Sequence, residues 1–166
     1  MTPPAAVAEL LTGRVPALGP GSPNEAVRAT LAAFTRPGHP EMVKALHAAL
    51  WLYHDFLDES HQISQGLHTP TGSLLHAVMH RREPDAWNSK YWLRRVGDHP
   101  AYAEIGAAAK ALGYGSGAWD PVRFVDDCEA ARGSGTARED LLRRVQAKEI
   151  ELIAAWCHRA AGDEPR

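Results

Sequence analysis

The sequence predicts an all-α fold. Three observations carry this reading. Apolar residues recur at helical spacing through most of the chain. Helix-start signals recur: Ser22-Pro23-Asn24-Glu25, Asp120-Pro121 and Thr136-x-x-Glu139. No alternating β-like run of any length appears. We expect a compact single-domain bundle spanning 1–166, of about seven or eight helices, built around two helical hairpins and weakly tetratricopeptide-like.

The elements follow in order. Residues 5–12 read as a short helix after Pro3-Pro4, and 13–21 as a Gly/Pro-rich loop. At Ser22 the serine caps, Pro23 takes the first turn and Glu25 completes a capping box. That helix should run to about Phe34, and Arg36-Pro37-Gly38-His39-Pro40 breaks it. A helix over 40–57 presents Leu46, Ala49, Leu50, Tyr53, Phe56 and Leu57 on one face. A turn or helix over 58–65 ends at Gly66, and Thr69–Gly72 reads as a loop. Helices over 73–82 and 86–96 are separated at Pro84-Asp85. Further helices cover the Ala-rich 101–112, the stretch from Asp120 to Gly133, and a long C-terminal span, 137–160. The hairpins 40–66 and 73–97 form the heart of the fold, inside a motif-bearing core of 40–99, with the long helix packed across them.

Composition narrows the class. The chain has 166 residues, 45% hydrophobic content and a net charge of −2. It can bury roughly 70% of its unfolded surface. No global basic field attracts nucleic acid or acidic membranes. Residues 81–95 are a local exception, with five Arg or Lys against two acids, which suits a small anion. Cys128 and Cys157 show no zinc-like spacing and read as reduced, buried thiols. The first residues lack a secretory pattern, and no apolar run reaches the ~18 residues of a membrane span. The expectation is a soluble cytoplasmic protein.

Residues 45–50 match 74–79 at an offset of 29, and Ser60 then matches Ser89. Each copy would be a helical hairpin, which resembles tetratricopeptide pairs, although their common period is 34.

The histidines are concentrated. Six of nine fall between His47 and His80, and His47, His54, His61 and His68 are each seven residues apart. His76 and His80 lie one helical turn apart, a spacing that lets two imidazoles bind one metal. The glutamate of H-E-x-x-H is absent, so the zinc-protease reading fails. On the helical wheel both histidines lie opposite Leu74, Leu75, Val78 and Met79, with Glu83 beside them. The bland reading is a solvated polar face, and a metal site needs a second helix to cover it. His54, Asp58 and His61 could supply that cover at i, i+4 and i+7. Two histidines and a carboxylate suit zinc, iron or manganese. His39, His68, His99 and His158 read as structural or solvent-facing.

Three further features stand out. Arg82 lies within the apolar stripe of its helix. Glu149 interrupts the stripe Leu141, Leu142, Val145, Leu152, Ile153 and Trp156, so it should meet an arginine, a histidine or a metal. A buried Glu149–arginine ion pair is the structural reading, and a histidine partner would favour acid/base chemistry. Asn88, Tyr91 and Arg95 share a face with Trp87 and Trp92, which describes either core packing or a small-molecule pocket. No phosphate-binding loop, dinucleotide fingerprint or nucleophile elbow is present.

The segment 47–100 carries Thr69-Pro-Thr-Gly-Ser73, His76-x-x-x-His80-Arg81-x-Glu83 and Tyr91-Trp-x-Arg-Arg-Val-Gly97. It resembles a family of uncharacterised bacterial and fungal proteins with similar runs, many of which have glycine near Pro84. The resemblance implies an all-α fold with a shared site and brings no activity.

These readings converge on a small-ligand or metal site between the hairpins. His54, His61 and Glu149 are the candidate catalytic groups. His54, Asp58, His61, His76 and His80 are the candidate ligands of a divalent zinc, iron or manganese ion. Arg81, Arg82 and Arg95 would hold a small anionic substrate, and Asn88 and Tyr91 would orient it. The alternative is a tetratricopeptide-like module binding a short peptide, with no catalysis. Neither reading includes nucleic acid or membrane.

Overall fold

The computed structural model describes residues 5–162. Among these residues it is all-helical, with nine α-helices and one 3-10 turn, rather than seven or eight helices. The helices are α1 (Ala5–Glu9), α2 (Arg28–Ala32), α3 (Pro40–Tyr53), α4 (Leu57–Ser64), α5 (Pro70–Arg82), α6 (Ala86–Val96), α7 (Tyr102–Leu112), α8 (Pro121–Ala131) and α9 (Ala137–Ala161). None of the described helices is long and apolar enough to cross a membrane.

Four helix starts follow local chemistry. Thr69, Asp85, Asp120 and Thr136 each accept a hydrogen bond from the backbone N–H three residues on. Such a cap contributes about 1 kcal/mol. The Thr136 box is shifted by one residue on its return arm, because the Glu139 carboxylate accepts from Gly135 N at 2.9 Å. Helix α5 starts at Pro70, earlier than the loop expected over 69–72. Proline fits the first turn, and Gly72 lets that turn press on the preceding chain. A Cβ at Gly72 would lie 2.2 Å from the Leu67 carbonyl oxygen.

The Ser22 capping box does not form. A 3-10 turn over Glu25–Val27 precedes the short α2. Its N-cap is Asn24, whose side chain makes no capping bond. That side chain instead bonds His54 Nδ1 at 3.1 Å, and Glu25 pairs with Arg28. One distant partner, His54, and one near partner, Arg28, outcompete the cap.

The helix expected over 40–57 also divides. Helix α3 ends at Tyr53, and Asp55 takes a left-handed φ of 66°. Long-range charge holds that conformation. The buried Asp55 carboxylate pairs with both Arg14 and Arg82.

Helix α5 lies among α3, α4 and α6, packing most extensively on α6, while α3 packs along α9 and α4. The two expected hairpins are therefore present. The long helix α9 runs against α3, α7 and α8 rather than across both hairpins. It reaches α5 through long side chains. One core cluster joins α3, α5 and α9 through Leu46, Leu50, Leu74, Leu75, Ile150 and Ile153. A second gathers Leu18, Tyr114, Phe124, Cys128, Leu142 and Val145 around α8. Cys128 and Cys157 are buried and free.

Every residue of α5 from Thr71 to Arg82 is buried. Its polar face is therefore covered by protein rather than solvated, and buried polar groups without partners are costly. The Gly/Pro-rich loop after α1 is pinned by side chains that satisfy its carbonyls. Arg82 donates to Gly19 O at 3.1 Å, Arg143 to Val15 O at 2.9 Å and Gln146 to Ala17 O at 2.9 Å.

Candidate metal centre

His76 projects from the middle of α5, is 5% exposed, and has no hydrogen-bond partner on either ring nitrogen. His80 follows one turn later on the same face, with its ring stacked at 4.7 Å from that of His76. The third imidazole comes from α4, which packs on this side of α5. His61 sits 4.8 Å from His76 and 5.4 Å from His80, ring centroid to ring centroid. One ligand nitrogen from each residue falls within 4.8 Å of the others.

Two residues shape this cluster. His80 donates from Nδ1 to the Glu83 carboxylate at 3.1 Å, which leaves the Nε2 lone pair free to ligate. A carboxylate behind a ligating histidine fixes its tautomer and raises its basicity. Trp92 of α6 stacks on His76 at 4.2 Å with planes 21° apart, so the imidazole is clamped from the α6 side.

The three imidazoles fit a metal by donor type and number. Nitrogens bound at ~2.0–2.1 Å to a tetrahedral ion lie about 3.4 Å apart, a modest contraction of the observed group. Burial, reinforced by His80 and His61, lowers the His76 pKa to about 4. Burial also lowers that of His80, against the pull of Glu83. Both are neutral lone-pair donors at neutral pH, the form a metal requires.

The other expected ligands lie elsewhere. His54 falls at the C-cap of α3, where the chain reverses. It donates from Nε2 to Leu10 O at 2.6 Å and accepts from Asn24 at 3.1 Å. Both nitrogens are committed, so His54 is a tie between α1, α3 and the 3-10 turn rather than a ligand or catalytic base. Asp58 is exposed. It lines a cleft of about 540 Å³ with Asp55, Glu59, Glu83 and Asp85, outside the histidine group. The i, i+4, i+7 line of His54, Asp58 and His61 assumed a continuous helix, and the break at Asp55 removes it.

Glu149 has an arginine partner, not a histidine. Arg81 grips it through both terminal guanidinium nitrogens, at 2.5 and 3.2 Å, and also donates to Gln146 at 3.2 Å. Phe124 lies under that guanidinium, 4.6 Å from ring centroid to Cζ. Arg82 is fully buried, pairs with Asp55 and donates to Leu52 O at 2.9 Å. These placements correct the assignment of Arg81 and Arg82 to substrate and of Glu149 to catalysis. All three belong to ion pairs that join α5 to α9 and to the α3–α4 turn.

Arg95 differs. It is exposed, lies over the rings of Tyr91 and Trp92 at 4.7 and 5.3 Å, and donates to the Tyr91 hydroxyl. It makes no ion pair among the described residues. Asn88 lies in the first turn of its helix and donates to the carboxylate of the Asp85 cap at 2.7 Å. Trp87 is 71% exposed and stacks on Tyr91 at 6.0 Å, so it forms no wall with Trp92.

Sequence reasoning passed over Trp92 as a contact of His76, and Glu83 as the partner of His80. The second was findable, since Glu83 lies three residues after His80 on one helix. The first depends on how α6 packs on α5. Comparison of the chain with protein-family models, curated proteins and solved structures finds no match, so the site is read from its own geometry.

Proposed function

We propose that His61, His76 and His80 hold a divalent transition metal, zinc, iron or manganese, and that the site performs metal-assisted chemistry on a small anionic substrate. One observation carries the reading: a buried histidine with both ring nitrogens unpartnered faces two further imidazoles. An orphaned buried polar group costs about 1–3 kcal/mol, a cost that a metal removes at the one nitrogen it binds. Imidazole suits zinc and iron, and a metal on three histidines keeps coordination positions for water or substrate and acts there as a Lewis acid. Glu83 orients His80 and Trp92 holds His76. Of the three arginines considered for the substrate, Arg95 is the exposed one. A soluble, cytoplasmic setting fits the two buried free thiols.

The test is elemental analysis of untagged protein purified without chelators, beside the His76→Ala/His80→Ala variant. Near-stoichiometric metal in the wild type, lost in the variant, is the expected result. Metal in neither protein, together with no uptake of added zinc, sinks the reading.

A second reading has its own observation. The stack of exposed Trp87 on half-buried Tyr91 suits a peptide-binding module. Under that reading Trp87→Ala abolishes capture of a partner and the histidine variant leaves it intact.

A further inference from the structure

Beside the histidine cluster lies a cleft of about 470 Å³ lined by Gln65, His68, Thr69, Ser73, Trp92 and Arg95, among others. No carboxylate lines it. The cleft near Glu83 is the opposite, with five acids against Arg28. The two clefts thus carry opposite charge.

Three independent features of the first cleft favour an oxyanion. It opens on the N-terminus of the 13-residue helix α5, the positive end of the helix dipole. Arg95 stands at its rim with a planar, permanently charged fork that carries no ion pair among the described residues. Ser73 is only 8% exposed and lines the cleft, and its hydroxyl, which bonds to no described residue, keeps its accessible surface there. A nearly buried hydroxyl without a partner is the kind of donor a bound oxyanion would satisfy.

The cleft is coupled to the histidines by one side chain. Trp92 lies 4.2 Å from the His76 ring and 5.3 Å from the Arg95 guanidinium carbon, so the guanidinium and that imidazole are no more than about 9.5 Å apart. A small molecule has the length to reach across that distance around the Trp92 edge, since none of the three histidines lines the cleft itself.

We propose that this cleft is an oxyanion subsite, which takes the carboxylate or phosphate tail of the substrate while its reacting end lies at the histidine cluster. The word substrate rests on the metal reading; the anion site does not. Arg95 binds the tail, the Ser73 hydroxyl donates to it, the positive end of the α5 dipole adds attraction, and the Trp92 ring forms the apolar wall between tail and metal. The substrate class is then a short bifunctional acid or phosphate ester.

The experiment follows the indole N–H resonance of Trp92, assigned with Trp92→Phe, in the full chain. Inorganic phosphate and acetate are titrated separately into wild type, chelator-treated wild type, His76→Ala/His80→Ala, Arg95→Gln and Ser73→Ala. Arg95 is exposed, so its variant keeps the fold. The expected result is a saturable shift with at least one anion in all forms that retain Arg95. That shift should weaken by about tenfold or more in Arg95→Gln and by about threefold in Ser73→Ala. The anion that binds more tightly names the tail. A shift that requires both zinc and the histidines, and survives Arg95→Gln, puts the anion on the metal and overturns the subsite. Absence of any shift at tens of millimolar overturns it as well. Anion binding that persists in a protein unable to take up zinc sinks the metal reading and leaves the subsite standing.

Discussion

The indole of Trp92 stacks on the imidazole of His76 at 4.2 Å, and that imidazole makes no hydrogen bond through either nitrogen. A ring held by its face and free at both edges is positioned without being chemically engaged. This favours ligation, because the ring gives up no hydrogen bond and little freedom when it turns onto a metal. Trp92→Leu should lower zinc affinity about tenfold, since support behind a ligand typically matters by ~10–100-fold. Competition titration against a chromophoric chelator reads this directly. Unchanged affinity would mean the clamp is packing alone.

Glu83 acts through His80, so its loss should be felt in the metal and barely in the fold. The carboxylate is at the surface, and its removal leaves no buried charge. Glu83→Gln should weaken zinc binding by about tenfold while the unfolding free energy moves by less than ~0.5 kcal/mol. Loss of stability with intact zinc affinity would make Glu83 a helix-end charge and nothing more.

Metal should stabilise the fold by mass action. A ligand present at 100 times its dissociation constant adds about 2.7 kcal/mol to a protein that binds it only when folded. Scanning calorimetry with zinc against chelator should show that rise in the wild type and none in His76→Ala/His80→Ala. Equal melting of the two wild-type samples would count against specific binding.

The Arg81–Glu149 pair is structural, and a cycle of variants distinguishes it from a catalytic role. Removing one partner of a buried pair costs about 3–5 kcal/mol, whereas replacing both with apolar residues of similar volume is often neutral. Glu149→Leu should therefore be strongly destabilised in urea, and Arg81→Met/Glu149→Leu should recover most of the loss. If the double variant stays as unstable as the single, the pair supplies more than mutual neutralisation.

His99 makes the fold sensitive to acid. It is 2% exposed, accepts from Ala101 N–H at 3.1 Å and donates to Thr71 at 3.0 Å, and burial lowers its pKa from 6.5 to about 4. Between those two values the unfolded chain binds the extra proton, so its contribution is complete above 6.5 and declines as the pH falls toward 4. His47 and His54 are lowered by burial too and add to the slope. His99→Gln should flatten the pH dependence of unfolding between neutrality and pH ~4.5 by about 1–2 kcal/mol, measured by urea denaturation. Parallel curves for the two proteins would remove His99 from this account.

Much of the helical pattern was legible because its causes are local. Thr136, Asp120 and Asp85 cap the helices that follow them, and the four-residue spacing of His76 and His80 already placed them on one face. Ser22 failed as a cap because the Glu25 N–H bonds Pro23 O, the Glu25 carboxylate pairs with Arg28 and Asn24 is held by His54, and of these only the tie to His54 is hidden from a local reading. The choice between His54 and His61 was equally hidden. It depends on the reversal at Asp55, held by Arg14 and Arg82 from distant parts of the chain.

The sequence by itself determined the all-helical class, the position of most helix starts, the pairing of His76 with His80, and the need of Glu149 for a cation. These follow from hydrogen-bonding and burial costs that act within one helix or on one residue. The tertiary structure decided which cation answered Glu149, that His61 rather than His54 joined the histidine pair, and that Trp92 would stand between that cluster and Arg95. It also put the polar face of α5 inside the protein. Periodicity reports which face is polar, but whether that face meets water or another helix depends on packing between segments far apart in the chain.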